Sequence, residues 1–355
     1  MGSSHSISIP HISVNIYTSD GKTFAMSSRD FVDHIVLLRR VIAHPEMTQQ
    51  GETLNYYIDD YCRRMAHRGI ATKYKQRRLP WQIDWIWHVH RLHPIAYDND
   101  CAKQLPNGIP VDKKYRRLRI KQRRKHRSVN LFESIRNSST FVPSIDLAEA
   151  VVRQRDFLKK FKQHKLFSMD LRRLTRNLFE QMVQNYISFL KLAKNGELIV
   201  PTFDIDLIWH THMRSPISYQ NTSKALCGFL LDHNDSLEKD ILADAYQKTA
   251  EQWKMTYKVD YGKDIDKDNL RTSGYVSACA IIIAPVATYS SSGGGCGGGG
   301  GSGGGGGCGD GGGGGSGGGC GDGGGGGDGG GGGDGGGCGG GGGCGGCGGC
   351  GGCGG

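Results

Sequence analysis

Two eight-residue runs place carboxylate and imidazole side chains at a spacing that can do chemistry. The first reads Ile83-Asp84-Trp85-Ile86-Trp87-His88-Val89-His90 and the second Ile205-Asp206-Leu207-Ile208-Trp209-His210-Thr211-His212. Residues four apart share a helix face, so Asp84 pairs with His88 and Asp206 with His210. Two such pairs brought together offer two carboxylates and two imidazoles, a donor set that suits divalent Zn, Fe or Mn. His90 and His212 fall about 200° around an ideal helix from the first His of each run, so they join that set only at a broken helix end. A structural reading uses the same residues differently. Asp84 and Asp206 then serve the first turn and the helix dipole, each His donates to a backbone carbonyl, and Trp87 and Trp209 anchor the core.

The runs are parts of a longer repeat. Pro94-Ile95-Ala96-Tyr97 follows the first and Pro216-Ile217-Ser218-Tyr219 the second, so both fit I-D-x-I-W-H-x-H-x3-P-I-x-Y at an ungapped offset of 122, with nine of fifteen positions identical. Shared Trp and His at that density mark an internal duplication. It allows the two Asp/His pairs to meet across a pseudo-twofold axis. Each proline lacks a backbone donor and clashes with the carbonyl four residues back, so each motif helix must end soon after its second His. Ser215-Pro216 then reads as the cap and first position of a new helix, with His93 in the equivalent place before Pro94.

The elements around the motifs are mostly helical. Ile12, Val14 and Ile16 alternate before Ser19-Asp20-Gly21, which predicts a short strand and a turn. Ser28 is placed to cap a helix whose Phe31, Ile35, Leu38 and Ile42 share a face, stopped near Pro45. Leu54, Ile58, Tyr61 and Met65 predict a second helix ending at Gly69. In the second half Ser144 precedes a helix with Leu147, Val151, Leu158 and Phe161. Ser168 precedes a longer one carrying Leu171, Leu174, Leu178, Met182, Tyr186 and Leu190, stopped by Asn195-Gly196. The fold expected is mainly α: an internally duplicated helical domain with a short N-terminal strand and a Gly-rich tail. The divisions are a first repeat with a basic linker over 1–128, a second repeat over 129–275, a linker over 276–292 and the tail over 293–355.

The tail is nearly pure glycine broken by Cys, Asp and Ser. It has no apolar side chains to offset the entropy of ordering it, so the composition predicts disorder. Cys344, Cys347, Cys350 and Cys353 recur every third residue, a spacing shared with zinc sites, although low-complexity repetition accounts for it better, since nothing in the tract can fold around an ion. The chain carries a net charge of +10, and the tail holds four Asp and no Lys or Arg, so the remainder carries +14. Much of that charge lies in Lys113, Lys114, Arg116, Arg117, Arg119, Lys121, Arg123, Arg124, Lys125 and Arg127, with a smaller cluster from Lys73 to Arg78. Such a run suits phosphate neutralisation on RNA, an acidic lipid surface or nuclear import. It suits a solvated linker as well.

The start, Met1-Gly2-Ser3-Ser4-His5-Ser6, has no apolar leader and fits an N-myristoylation pattern at Gly2. Ala280-Ile281-Ile282-Ile283-Ala284 is too short to span a bilayer. The expectation is an intracellular protein, cytoplasmic or nuclear, with membrane-surface association through Gly2 as an option and reduced thiols at Cys62, Cys101, Cys227 and Cys279.

With these motifs the body resembles the glycine-rich domain-containing protein family, known best from plants. The resemblance rests on the two motifs, above all Val200 to His212. Asp146 to Gln154, Leu231-Asp232-His233-Asn234-Asp235 and Thr249 to Trp253 support it, and it extends from about Ser28 to Tyr261. It implies a role in growth and stress responses, with links to hormone signalling and RNA in some members. It brings no established reaction or catalytic residue. The chain departs from the family in its unusually basic segment between the motifs. No nucleotide-binding loop, nucleophile elbow or HExxH run is present, and no aromatic RNA platform. A non-catalytic regulator or adaptor with a protein partner is therefore the leading expectation. A metal-dependent enzyme and a polyanion binder are the alternatives.

Overall fold

The computed structural model describes residues 8–18, 20–118, 141–193 and 197–262. Gly2, most of the basic run (Arg119, Lys121, Arg123, Arg124, Lys125 and Arg127), the Asn195-Gly196 stop, Ala280–Ala284 and the tail with its thiols lie outside the described residues.

The alternation at Ile12, Val14 and Ile16 does give a strand, β1 (Ser13–Tyr17). A second strand, β2 (Thr23–Ser27), folds back antiparallel on it with Val14 opposite Met26. Its Phe24-Ala25-Met26 run is too short to declare its period. The Ser27 hydroxyl, not that of Ser28, caps α1 (Ser28–Ile42) by accepting the Arg29 amide. Ser28 opens the helix, and its hydroxyl ties β1 to it through the Ile12 amide. A 3-10 turn at Pro45–Thr48 leads to α2 (Glu52–Ala66), and α3 (Lys73–Arg77) follows. The first motif forms α4 (Trp81–Arg91), and Pro94 starts α5 (Pro94–Gln104).

The plan then recurs. Asp146, rather than Ser144, caps α6 (Leu147–Gln163) by accepting two amides. A short helix, α7 (Lys165–Ser168), comes first, and a 3-10 turn at Leu171–Arg173 breaks what the spacing predicts as one helix after Ser168. The true start is at Thr175, whose hydroxyl accepts the Leu178 amide and opens α8 (Arg176–Leu192). The second motif forms α9 (Phe203–Met213), capped by Thr202, and Pro216 opens α10 (Pro216–Cys227). Gly228 closes α10 at φ 89°, a left-handed C-cap that glycine adopts without a Cβ clash. A last helix, α11 (Lys239–Tyr257), packs on α8. Among the described residues no helix is long and apolar enough to cross a membrane.

Helices α4 and α9 hold equivalent places. Each lies against the tyrosine-bearing helix of its own half, α2 or α8, and against a helix of the other half, α6 or α1 respectively. Both motif helices are buried almost all round, which a helix tolerates only at the centre of a domain. Trp85, Trp87 and Trp209 are fully buried. The indole nitrogens of Trp87 and Trp209 donate to Tyr97 (3.0 Å) and Tyr219 (2.9 Å), the tyrosines that end each motif. The crossing of α1 onto α9 carries a residue of the first half into the second motif, and this assembles the site.

Candidate metal centre

The two motif helices do turn all four expected side chains inward: Asp84, His88, Asp206 and His210 are each at most 1% exposed. They do not form one set. Asp84 is claimed by cations. Lys113 donates to it, and Arg214 (3.6 Å) and Arg91 (3.9 Å) stand close by. Burial raises the Asp84 carboxyl, but Lys113, Arg214 and Arg91 outweigh it and hold the group below the usual carboxylate range. Asp33 of α1 completes the cluster, 2.6 Å from Arg214. Asp84 is thus the anion of a buried ionic core.

His90 and His212, on the far side of each helix, have matching tasks. His90 Nδ1 meets the Tyr61 hydroxyl at 2.8 Å, and His212 Nδ1 meets that of Tyr186 at 2.9 Å. His90 Nε2 faces Asp100 (3.1 Å) and His212 Nε2 faces Ser218 (3.4 Å). These two imidazoles pin each motif helix to its neighbours and stay out of the centre.

His88 and His210 do come together, with ring centroids 6.0 Å apart, and two residues that spacing alone does not indicate join them. His34, on α1, lies with its ring 4.7 Å from that of His88 and 6.4 Å from that of His210. His233, between α10 and α11, lies 4.8 Å from His210. The donors assemble as two triads that share His210: His34, His88 and His210, and Asp206, His210 and His233. In each, one nitrogen or oxygen per residue lies within 4.8 Å of the others.

The carboxylate-bearing triad has the tighter geometry. His210 Nε2 is 2.9 Å from His233 Nε2 and 3.1 Å from Asp206 Oδ1. Ligands at adjacent corners of an octahedron with bonds of about 2.1 Å lie about 3.0 Å apart, so both edges already have the length that a facial two-histidine, one-carboxylate site requires. Neighbouring rings hold the imidazoles in place: Phe157 stacks on His210 at 4.4 Å, and Trp209 sits edge-on to His233 at 4.9 Å. Burial pushes His233 down to about 3, so it is a neutral lone-pair donor at physiological pH.

The all-imidazole triad is defined by nitrogens with nothing to bond. The Thr211 hydroxyl donates to the Leu207 carbonyl (2.8 Å), so its oxygen can only accept from His34 Nδ1 (2.8 Å). That fixes the proton of His34 on Nδ1 and leaves a bare lone pair on Nε2. His34 Nε2, both nitrogens of His88 and His210 Nδ1 are buried without a hydrogen-bond partner among the described residues. Burial first, and then neighbouring cations, hold His34 and His88 well below the ordinary histidine range, so both are neutral. Among the described residues no backbone carbonyl accepts from His88, as the purely structural reading would require.

The described part of the basic run, through Leu118, lies along the body. Lys113 is buried on Asp84, its ammonium pushed down by burial against the pull of Asp84 and Asp33. Arg116 pairs with Asp30, and the Arg117 amide donates to Asp33. The Lys114 and Tyr115 amides donate to the buried Gln76 side chain. Of the candidate polyanion-binding residues, Lys113 has its charge taken up inside the core, Arg116 is engaged at the surface, and Lys114 is exposed.

Fold and site together define an internally duplicated helical domain with a buried histidine-rich junction. The family model for glycine-rich domain-containing protein-like sequences matches residues 111–222, which include Asp206 and His210. In Arabidopsis thaliana, glycine-rich domain-containing protein 1 is 30% identical over 215 residues, covering 52% of this chain and 25% of that protein. Glycine-rich domain-containing protein 2 is 27% identical over 208 residues, covering 52% of this chain and 26% of that protein. The match thus spans about a quarter of the length of these relatives. No solved structure matches the chain.

Proposed function

We propose that this domain is a metal-binding regulatory module in which a transition-metal ion sits at the buried junction of the motif helices. The observation that supports it is the group of buried imidazole nitrogens without hydrogen-bond partners at His34, His88 and His210, beside the Asp206–His210–His233 triad. A buried polar atom left unpaired costs about 1–3 kcal/mol, so several together call for a cation that accepts their lone pairs. Neutral imidazole and carboxylate suit Zn, Fe, Cu or Ni. The first repeat supplies His34 and His88, and the second supplies Asp206, His210 and His233, so an ion on His34, His88 and His210 ties the two halves together, whereas one on Asp206, His210 and His233 braces the second repeat.

The role is non-catalytic. All five donors are at least 95% buried, which suits an ion that organises the fold more than one that meets substrate. A regulatory or adaptor role in growth or stress response follows from the family resemblance. The test is elemental analysis of the full chain with its eight tail cysteines replaced by serine, which removes competing thiolates. About one equivalent of a transition metal is expected, lost in His210→Ala and on chelation. Purified protein that carries none and takes up none overturns the reading.

A further inference from the structure

Resting on the metal reading, we propose that the two triads are alternative seats for a single ion: a divalent ion takes Asp206, His210 and His233, and Cu(I) takes His34, His88 and His210. A neutral imidazole has one bare lone pair, because its other nitrogen carries the proton. His210 belongs to both triads, so while neutral it completes only one of them. Its Nε2 faces Asp206 and His233, and its Nδ1 is buried with no partner among the described residues. Its single lone pair therefore serves one seat at a time.

Charge assigns the occupants. The first seat contains a carboxylate, which offsets part of a divalent charge. The second contains three imidazoles and no carboxylate, and it borders the buried ionic cluster, where Arg91, Lys113 and Arg214 face Asp33 and Asp84. That cluster holds one cation in excess, and it opposes a divalent neighbour more than a monovalent one. Cu(I), a soft ion of low charge, is satisfied by three neutral nitrogens. Thr211 already presents the His34 lone pair by holding the proton on the opposite nitrogen, the kind of support that fixes a metal-binding histidine.

The test titrates the full chain, tail cysteines replaced by serine, with Co(II) as the divalent probe and with Cu(I) under anaerobic conditions. Each ion is expected to bind at one equivalent, and the two to compete. His34→Gln and His88→Gln should weaken Cu(I) at least tenfold and leave Co(II) within about twofold. Asp206→Asn and His233→Gln should do the reverse, and His210→Gln should weaken both. Circular dichroism of each metal-free variant separates loss of a ligand from loss of fold, and Ala versions replace any Gln variant that does not fold. The proposal is overturned if the His34, His88, Asp206 and His233 variants each weaken both ions alike, or if the chain binds one Co(II) and one Cu(I) at once. Absence of any binding is a different result, which removes the metal reading itself.

Discussion

The aspartates of the two motifs occupy equivalent positions and meet different fates. Asp84 neutralises Lys113 and Arg214, whereas Asp206 faces His210 and belongs to a metal triad. The contrast gives separable outcomes. Lys113→Met takes from buried Asp84 its hydrogen-bond donor, while Arg214 and Arg91 stay beside it, and should cost about 1–3 kcal/mol, read by urea unfolding, while metal content stays at the wild-type level. Asp206→Asn keeps the side-chain shape and should release the metal. Equal loss of metal in both variants would show that the ionic core around Asp84 and the metal triad are one site. Lys113 was not legible as a core residue, because in sequence it begins a run of ten basic residues in fifteen. Its burial depends on Asp84, which is 29 positions away in the chain. His34 left a weak trace, three residues after Phe31 on the buried stripe of α1, where a polar side chain needs a reason. His233 stands within Leu231 to Asp235, an irregular segment with no period to mark it.

At the level of elements, the helix pairs are held by matching tyrosine–histidine contacts: Tyr61 with His90, and Tyr186 with His212. Tyr186→Phe should cost about 1–3 kcal/mol, since His212 Nδ1 then loses its buried partner. Burial also pushes His212 down to about 4 from 6.5. Between those values the unfolded chain binds a proton that the folded chain refuses, so stability falls as pH drops from about 6.5 towards 4, by about 3 kcal/mol for this one group. Urea unfolding of metal-free protein across that range should show the slope, and His212→Gln should reduce it by the share of one proton, since His34, His88 and His233 are also held neutral. An unchanged slope would mean that His212 is not kept neutral by the fold. The ends of α4 and α9 were legible because Pro94 and Pro216 act locally. Strand β2 and the break before α8 were not, since the hairpin depends on pairing across a turn, and the Thr175 cap lies inside what the leucine spacing presents as one helix.

For the whole molecule, duplication supplies equivalent motif helices, and the crossing of α1 onto α9 and α6 onto α4 interlocks the halves. Metal binding adds stability only to the folded form, about 4 kcal/mol at a free concentration a thousand times Kd. For a body of this size that corresponds to a drop in Tm of about 10 °C on chelation. The same chelation of His210→Ala should move Tm little. X-ray absorption on the zinc-loaded full chain, tail cysteines replaced by serine, tests the central claim most directly. The account predicts nitrogen and oxygen neighbours at about 2.0–2.2 Å with imidazole outer scattering, all lost in His210→Ala. A spectrum that is unchanged in His210→Ala would place the ion elsewhere and contradict it.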